Sequence, residues 1–275
     1  MSILDFSHPL IMGILNLTPD SFSDGGRYNT ASAVARGLEM AAEGADIIDI
    51  GGESTRPEAS RVSAAEQNRR VLETIEALRD RLPAGFPISI DTTLSEVARR
   101  AIERGASMIN DISAGRDDPE MFSLAGATGV SLVLMHMQGT PETMQREPSY
   151  ADVVSDVKAF LEARVDVALT AGVEREALLL DPGIGFGKLR RHNLQLLAEL
   201  KQIGELGFPL LLGVSRKRFM GSLCHQTEPV QLMPATCACT TLGVMAGVKV
   251  FRVHDVWQNR QAADVAWAIL HGADS

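Results

Sequence analysis

The sequence has little that could cross-link it or anchor it in a membrane. Only three of its 275 residues are cysteines, Cys224, Cys237 and Cys239, which is too few for a disulfide framework. Cys237-x-Cys239 lacks a second pair, so we interpret it as small core residues of a helix rather than a metal site. The apolar runs are too short and interrupted to span a bilayer, and no basic segment opens the chain. We therefore expect a cytoplasmic protein that does not associate with membranes.

Positive charge is also scarce. The net charge of -9 at pH 7 argues against a nucleic-acid partner, because proteins that bind nucleic acids present a broadly basic face. A few clustered arginines and lysines can still bind an anion, so the charge does not exclude a phosphorylated small molecule. What the sequence does have is 45% hydrophobic residues, enough to bury a sizeable core.

Short apolar runs typical of buried strands recur eight times, and each is followed by a segment with helical spacing. Strands are predicted at residues 9–17, 46–51, 87–92, 107–112, 131–137, 178–181, 209–213 and 248–253. Helices are predicted at residues 30–44, 64–82, 94–104, 119–127, 152–171, 194–203, 234–247 and 262–271. No stretch has linker composition. The alternation predicts an α/β fold, a single (β/α)8 TIM barrel over residues 1–275, which typically takes ~250 residues.

Glycine, proline, serine and aspartate concentrate after the first and second predicted strands, at residues 18–28 and 52–60, where we predict mobile loops. A doubly wound sheet would instead carry a glycine fingerprint after its first strand, where this chain has LNLTP. The glycine-rich stretch LLLDPGIGFGK at residues 178–188 matches neither common phosphate motif. Lys188 replaces the third glycine of GxGxxG, and Pro182 and Leu189 occupy required positions of GxxxxGK[ST].

Polar side chains recur where the predicted strands end. In a β/α barrel the carboxyl ends of the strands converge on the face that carries the site. The residues predicted at that face are Asn16, Asp91, Asn110, Met135, Asp181, Lys217, Arg252 and His254. A polar residue at one strand end is usually a turn former, but six strands that end in this way predict a functional site.

Two chemistries divide this set. Hydrogen-bonding groups beside apolar walls suit a flat, nitrogen-rich heterocycle; the former are Asp91, Asn110, Asp181 and Lys217, and the latter Ile112, Met135 and Phe186. Cationic and hydroxyl groups follow the seventh and eighth strands, where this fold commonly binds phosphate; they are Ser215, Arg216, Arg252 and His254. The residues alone therefore predict a heterocycle that carries a phosphate ester.

Six motifs resemble those of the dihydropteroate synthase family. They are MGILNLTPDSFSDGG (residues 12–26), DIGGESTRP (49–57), NDISA (110–114), DPGIGFGK (181–188), GVSRKRF (213–219) and RVHDV (252–256). The first two are long and specific, and the likeness extends from residue 12 to residue 256. Residues 225–240 match only in character. Glu58 stands where the family often has glycine, which leaves the mobility of the second loop in doubt.

The resemblance implies condensation of 7,8-dihydropterin-6-ylmethyl diphosphate with 4-aminobenzoate to 7,8-dihydropteroate and diphosphate, with Mg2+ required and a homodimer expected. Pterin diphosphate would contact Thr55, Asp91, Asn110, Ile112, Met135, Asp181, Phe186, Lys217, Arg252 and His254. Binding of 4-aminobenzoate would involve Phe22, Thr55, Arg56, Pro57 and Lys217, and sulfonamides would compete for that position. Asn16 would be the magnesium ligand, and Asp91, Asp24 and Lys217 the catalytic residues.

Two other functions fit part of this pattern. A pterin-dependent methyltransferase would hold a pterin with similar Asp and Asn residues, but it binds no diphosphate and gives Arg252-x-His254 no purpose. A non-catalytic pterin-binding homologue would have lost loop or magnesium residues, and all of them are present here.

Overall fold

Ten strands follow one another along the chain in this computed structural model, which describes residues 4–18, 23–24, 27–54 and 61–272. They are β1 (Leu10–Asn16), β2 (Ser23–Asp24), β3 (Arg27–Tyr28), β4 (Ile47–Gly51), β5 (Ile88–Asp91), β6 (Met108–Asp111), β7 (Ser131–Met135), β8 (Leu178–Asp181), β9 (Leu211–Leu212) and β10 (Val250–Val253). All but β2 and β3 belong to one parallel sheet. Each of these eight coincides with a predicted strand, and most are shorter by a residue or two at the ends.

The parallel sheet closes on itself. Its strand order is β8-β7-β6-β5-β4-β1-β10-β9, and a parallel bridge between Leu180 and Leu210 joins the two ends. Helices cover its outer surface, so the predicted TIM barrel is confirmed. Strands β2 and β3 pair separately as a short antiparallel hairpin within the segment predicted to be a loop.

Ten α-helices accompany the strands in the described part of the chain. They are Thr30–Ala42, Ala64–Arg81, Ser95–Glu103, Glu120–Thr128, Val153–Thr170, Arg190–Ala198, Leu200–Gly204, Arg218–Cys224, Met233–Met245 and Val256–His271. The prediction of a single helix over residues 194–203 is wrong, because the structure has two helices there, separated at Glu199. The helix Arg218–Cys224 was not predicted, since seven residues are too few to show a helical period.

Alternation along each strand sorts the side chains into two apolar layers. One layer lies between the sheet and the helices and includes Ile11, Leu15, Ile48 and Ile50. The other fills the lower half of the barrel; its members are Leu4, Met12, Ile47, Met108, Val133, Leu179, Leu211 and Val250. Because both faces of every strand are buried, the strands appear in sequence as nearly continuous apolar runs.

The inward positions become polar towards the carboxyl ends of the strands. Four polar residues lie two positions beyond members of the lower apolar layer and face the barrel axis in the same way; they are Asp49, Asn110, Asp181 and Arg252. Strand pairing sets Asp91 beside Asn110, and Met135 beside Asp181. The register therefore gathers at one end of the barrel the residues that the sequence placed at separate strand ends.

The helix Met233–Met245 is less buried than the interpretation of Cys237 and Cys239 as core residues implied. Only Thr236, Thr240, Gly243 and Val244 are buried along it, and Leu242 and Met245 are exposed. Cys237 and Cys239 are half-buried on this helix and form no disulfide. No helix among the described residues is both long and apolar enough to cross a membrane.

Candidate active site

Arg252 lies at the centre of the polar layer, between two buried carboxylates. Its Nε donates to Asp49 Oδ2 at 2.6 Å, and its Nη2 donates to Asp91 Oδ2 at 2.7 Å. Asp49 Oδ2 also accepts a hydrogen bond from Asn110 Nδ2 at 3.2 Å. Asp49 thus turns the amide of Asn110 so that its oxygen remains available as an acceptor towards the pocket.

The environment of Asp91 opposes its ionisation. Burial raises the pKa of Asp91 to about 7; the Arg252 guanidinium opposes the rise and the nearby Asp49 carboxylate adds to it. The pair of carboxylates shares one guanidinium, so one negative charge is left without a matching cation in this cluster.

Asp181 is held by the turn that ends β8. Pro182 has no N–H to continue the ladder, and Gly183 adopts a φ of +66° that favours glycine. The Gly183 N–H donates to Asp181 Oδ1 at 2.7 Å. The other carboxylate oxygen faces Gly213, where an added Cβ would lie 3.7 Å from Asp181 Oδ2. One oxygen of Asp181 is therefore committed to the turn, and the other is available to a ligand.

Lys217 covers the same turn. Its Nζ donates to the Ile184 carbonyl and lies 4.2 Å from the centre of the Phe186 ring. Burial lowers the pKa of Lys217 to about 7, and the Asp181 carboxylate partly offsets that effect. The sequence placed Lys217 at the end of the seventh strand; in the structure it is five residues beyond β9 and caps the start of the helix Arg218–Cys224.

Apolar side chains form one wall beside these groups. Ile112, Met135 and Phe186, the three predicted wall residues, lie in one cluster. Met137 and Met144 complete it and were not predicted. The wall and the hydrogen-bonding groups form a site with one apolar side and several aligned polar groups, which is the usual composition of a small-molecule pocket.

The residues predicted to bind phosphate form hydrogen bonds with other side chains of the protein. His254 donates its backbone N–H to Ser215 Oγ at 3.1 Å, and its Nδ1 lies 2.9 Å from the same oxygen. Arg216 donates to Asp255 through two bonds of 2.9 and 2.6 Å, so a phosphate would have to compete with that carboxylate for Arg216. Arg252 would reach a phosphate only while it shares its charge with two carboxylates.

Asn16 ends β1 beside Gly51, and the space next to it suits a small cation. A Cβ added at Gly51 would lie 3.5 Å from Asn16 Oδ1 and 3.6 Å from Asp91 Oδ2. Glycine thus leaves open a gap between two oxygen atoms, the donor type that Mg2+ prefers. No cluster of three or more His, Cys, Asp or Glu side chains that could hold a metal occurs among the described residues. The site fits an ion held by one amide and, for the rest, by water and phosphate oxygens.

Several residues of the prediction lie outside the described part of the chain; they are Phe22, Thr55, Arg56, Pro57, Glu58 and the side chain of Asp24. The residues on either side of 55–60 are firmly held. Gln67 Nε2 donates to Glu53 Oε2 at 2.6 Å, and Arg61 donates to Thr93 Oγ1 at 3.0 Å.

Asp49 is the main site residue that sequence reasoning missed. It is fully buried, and its Oδ1 has no hydrogen-bond partner among the described residues. The predicted site residues are polar residues at strand ends, whereas Asp49 lies within its strand, Ile47–Gly51. The signal that could have found it is alternation: Asp49 lies two residues before Gly51, on the same inward face as Asp91 on the neighbouring strand.

Known proteins resemble this chain in sequence and in fold. The family model for pterin binding enzymes matches residues 12–254. The dihydropteroate synthase of Synechocystis sp. is 45% identical over 260 residues, which cover 94% of this chain and 89% of that protein. This chain belongs to the dihydropteroate synthase family. As a member, it is a transferase of folate synthesis, and the resemblance of its six motifs is confirmed.

Solved structures of the family agree in fold along nearly the whole chain. The Yersinia pestis dihydropteroate synthase, in a complex with a sulfonamide drug, has a TM-score of 0.91 at 42% identity and covers 97% of this chain and 96% of its own. The Xanthomonas albilineans dihydropteroate synthase with 4-aminobenzoic acid has a TM-score of 0.91 at 44% identity, covering 98% and 95%.

The raised pKa of Asp91 predicts a pH-dependent cost to stability. Its folded-state pKa lies above the unfolded value, so its contribution to stability is complete below the unfolded pKa of 3.8 and is lost as the pH rises through about 7. At pH 8, Asp91→Asn should therefore raise the melting temperature relative to wild type, by about 3 °C for each 1 kcal/mol gained.

The comparison is repeated at pH 5, where the folded wild-type protein keeps Asp91 protonated and the advantage of the variant should be clearly smaller than at pH 8. Asp264→Asn, at an exposed position outside the site, is the control and should show no such pH-dependent difference. Equal differences in melting temperature between Asp91→Asn and wild type at both pH values would contradict the prediction.

Proposed function

We propose that the polar end of the barrel condenses 7,8-dihydropterin-6-ylmethyl diphosphate with 4-aminobenzoate. The observation that carries the proposal is the meeting of Asp181, Asn110 and Lys217 beside one apolar wall. Two acceptor oxygens and one cationic donor at fixed positions match the edge of an aminopyrimidinone ring. A site for simple apolar ligands would not need three buried polar groups, each of which costs free energy to desolvate.

Recognition of the pterin uses groups whose other bonds are already made. Asp181 Oδ1 is held by Gly183 and Asn110 Nδ2 by Asp49, so each side chain offers its remaining oxygen to N–H groups of the ring. Lys217 would donate to a ring oxygen or nitrogen while its ammonium stays over Phe186. Because these groups are fixed before the ligand arrives, less conformational entropy is lost on binding.

The reaction breaks the bond between the pterin methylene carbon and the diphosphate oxygen, and forms a bond from that carbon to the arylamine nitrogen. Asp91 would stabilise the positive charge that develops on the pterin as the diphosphate leaves. His254, with Ser215 on its Nδ1, and Arg252 would hold the diphosphate. The amine loses one proton, for which the departing diphosphate is the nearest strong acceptor. No side-chain nucleophile is required.

Asn16 would hold Mg2+ through its amide oxygen. The gap beside Gly51 supports this assignment, as does the neutral oxygen donor. Bound there, the ion would supply charge neutralisation for the leaving diphosphate. The residues of the chain would then bind and orient the two substrates, and Asp24, Phe22, Thr55, Arg56 and Pro57 keep the roles that the family resemblance implies.

Diphosphate release tests the activity. We expect release only when the pterin diphosphate, 4-aminobenzoate and Mg2+ are all present, with 7,8-dihydropteroate as the second product. Asn16→Ala should weaken diphosphate binding in the presence of Mg2+ and leave it unchanged without the ion, as measured by calorimetry. Methyl transfer, or pterin binding without product, would favour one of the two rival functions.

A second experiment tests pterin recognition. Asp181→Asn should weaken binding of a pterin without diphosphate by at least about tenfold, because the amide can present a donor against a ring donor. Asp46→Asn is the matched control, since Asp46 accepts the Ile11 N–H at 2.7 Å near the amino end of the barrel strands. Equal pterin affinity of Asp181→Asn and wild type in a calorimetric titration would remove Asp181 from the site.

We also propose that the protein is a homodimer, joined through the helices Met233–Met245 and Val256–His271. These two helices pack against each other, and the first contains no charged residue. Their exposed apolar side chains support an interface; they are Leu242, Met245, Trp257, Val265 and Ile269. Covering this apolar surface with a second copy would remove it from water.

A charge at that surface should separate the subunits. Leu242→Glu, whose side chain is 62% exposed, should shift the molar mass measured by light scattering from dimer towards monomer without unfolding the chain. Leu194→Glu is the control, because Leu194 is an exposed leucine on another helix, Arg190–Ala198. A wild-type protein that is monomeric at all accessible concentrations would refute the proposal.

A further inference from the structure

A lysine is buried beneath the turn that ends β8. Lys188 is 3% exposed, and its Nζ lies 2.9 Å from the Gly183 carbonyl and 3.0 Å from the Phe186 carbonyl. It also lies 2.8 Å from His136 Nδ1 and 3.3 Å from the His136 carbonyl. No carboxylate forms an ion pair with it in the described part of the chain. All acceptors of this ammonium group are therefore neutral.

The histidine contact requires a particular protonation state. Burial lowers the pKa of Lys188 and the Asp181 carboxylate opposes that effect, so the charge is held at a cost. In its charged form Lys188 can only donate, and His136 Nδ1 then accepts from it. Burial, together with the Lys188 charge, lowers the pKa of His136 to about 2. The ring is held edge-on against Phe160, with centroids 4.9 Å apart. Lys188 thus bonds to a rigid acceptor on the segment that follows β7 as well as to its own turn.

One contact of Lys188 leads directly to Asp181. The Gly183 carbonyl accepts from Lys188, while the Gly183 N–H donates to Asp181 Oδ1 at 2.7 Å. Gly183 packs so closely on the segment that follows β7 that a Cβ there would lie 1.9 Å from the His136 carbonyl. This single residue is thus held on both sides, and the rotation of the Asp181 carboxylate depends on it.

A second contact leads to the pair of Phe186 and Lys217. The Phe186 carbonyl accepts from Lys188, and the Phe186 ring lies beneath the Lys217 ammonium. The Ile184 carbonyl, in the same turn, accepts from Lys217. The cation of Lys188 therefore fixes the two parts of the turn that present the hydrogen-bonding edge and the face of the pocket.

We propose that Lys188 is a positioning residue for pterin recognition: it holds the turn at residues 181–188 so that Asp181 and the Phe186–Lys217 pair meet the same ring. Lys188 does not touch the ligand. The inference rests on the proposed function, because it concerns the geometry of that pterin site. Its contacts are with one half of the site, and none of them reaches Arg252, His254 or Asn16, which serve the diphosphate.

The test separates the two halves of the substrate. Lys188→Met keeps the length of the side chain and removes its N–H donors, which leaves the buried carbonyl oxygens of Gly183 and Phe186 without that partner. We expect the dissociation constant of a pterin lacking diphosphate to rise at least about tenfold. The dissociation constant of inorganic diphosphate with Mg2+ should change less than about twofold, because its binding groups are untouched. If Lys188 had a purely structural role, its substitution would weaken the binding of both ligands or of neither.

Lys249→Met is the matched control. Lys249 is a half-buried lysine whose Nζ donates to the Phe6 carbonyl at 3.2 Å, at the opposite end of the barrel. The Lys249→Met variant should bind the pterin and diphosphate with the same affinities as wild type. Unchanged pterin affinity in Lys188→Met, or an equal loss for pterin and diphosphate, would overturn the proposal.

A measurement on the wild-type protein covers the case in which Lys188→Met does not fold. The amides of Gly183 and Phe186, which donate to Asp181 and to the Gly183 carbonyl, should exchange slowly with deuterated solvent before any ligand is added. Fast exchange of both would show that the turn is not held, and would overturn the proposal. Failure of wild-type protein to bind any pterin would instead refute the proposed function.

Discussion

The parallel register of the eight strands is the constraint on which the site depends. Every second residue of a strand faces the barrel axis, and the strands are paired so that neighbouring inward residues lie side by side. Large apolar residues occupy the lower inward positions and exclude water there. The polar residues above them therefore converge from strands that are far apart in sequence. A shift of one residue in any strand would point its polar side chain into the helical layer.

Gathering these groups is costly, and the structure shows how the cost is distributed. Asp49, Asp91 and Arg252 are paired within 2.7 Å, and Asp49 Oδ1 still has no hydrogen-bond partner among the described residues. Burial shifts the pKa of Asp91 upwards and that of Lys217 downwards, which means that each charge is held against its preference. Such strain is typical of functional sites, where ligand binding supplies the missing partners. The rest of the barrel, with its two continuous apolar layers, stabilises the fold against this local cost.

Much of this arrangement could be predicted from local patterns. Apolar runs of strand length followed by segments with helical spacing predicted all eight barrel strands, and polar residues at the strand ends predicted Asp91, Asn110 and Asp181. The misses share one cause. Asp49 is polar within a strand, and the helix Met233–Met245 exposes Leu242 and Met245. Each of these outcomes depends on which distant residue lies opposite, and local spacing contains no information about that.

The sequence by itself determined the fold class, the family and the candidate residues at the strand ends, because strand and helix periods and the six motifs are local properties of the chain. Only the tertiary structure decided how those residues are used. It assigned Arg252 to two carboxylates, gave Asn110 its orientation through Asp49, and placed the ammonium of Lys188 among four neutral acceptors. The physical reason is that hydrogen bonds and charges act over a few ångströms in space, whereas Asp49 and Arg252 are brought together only when the barrel closes.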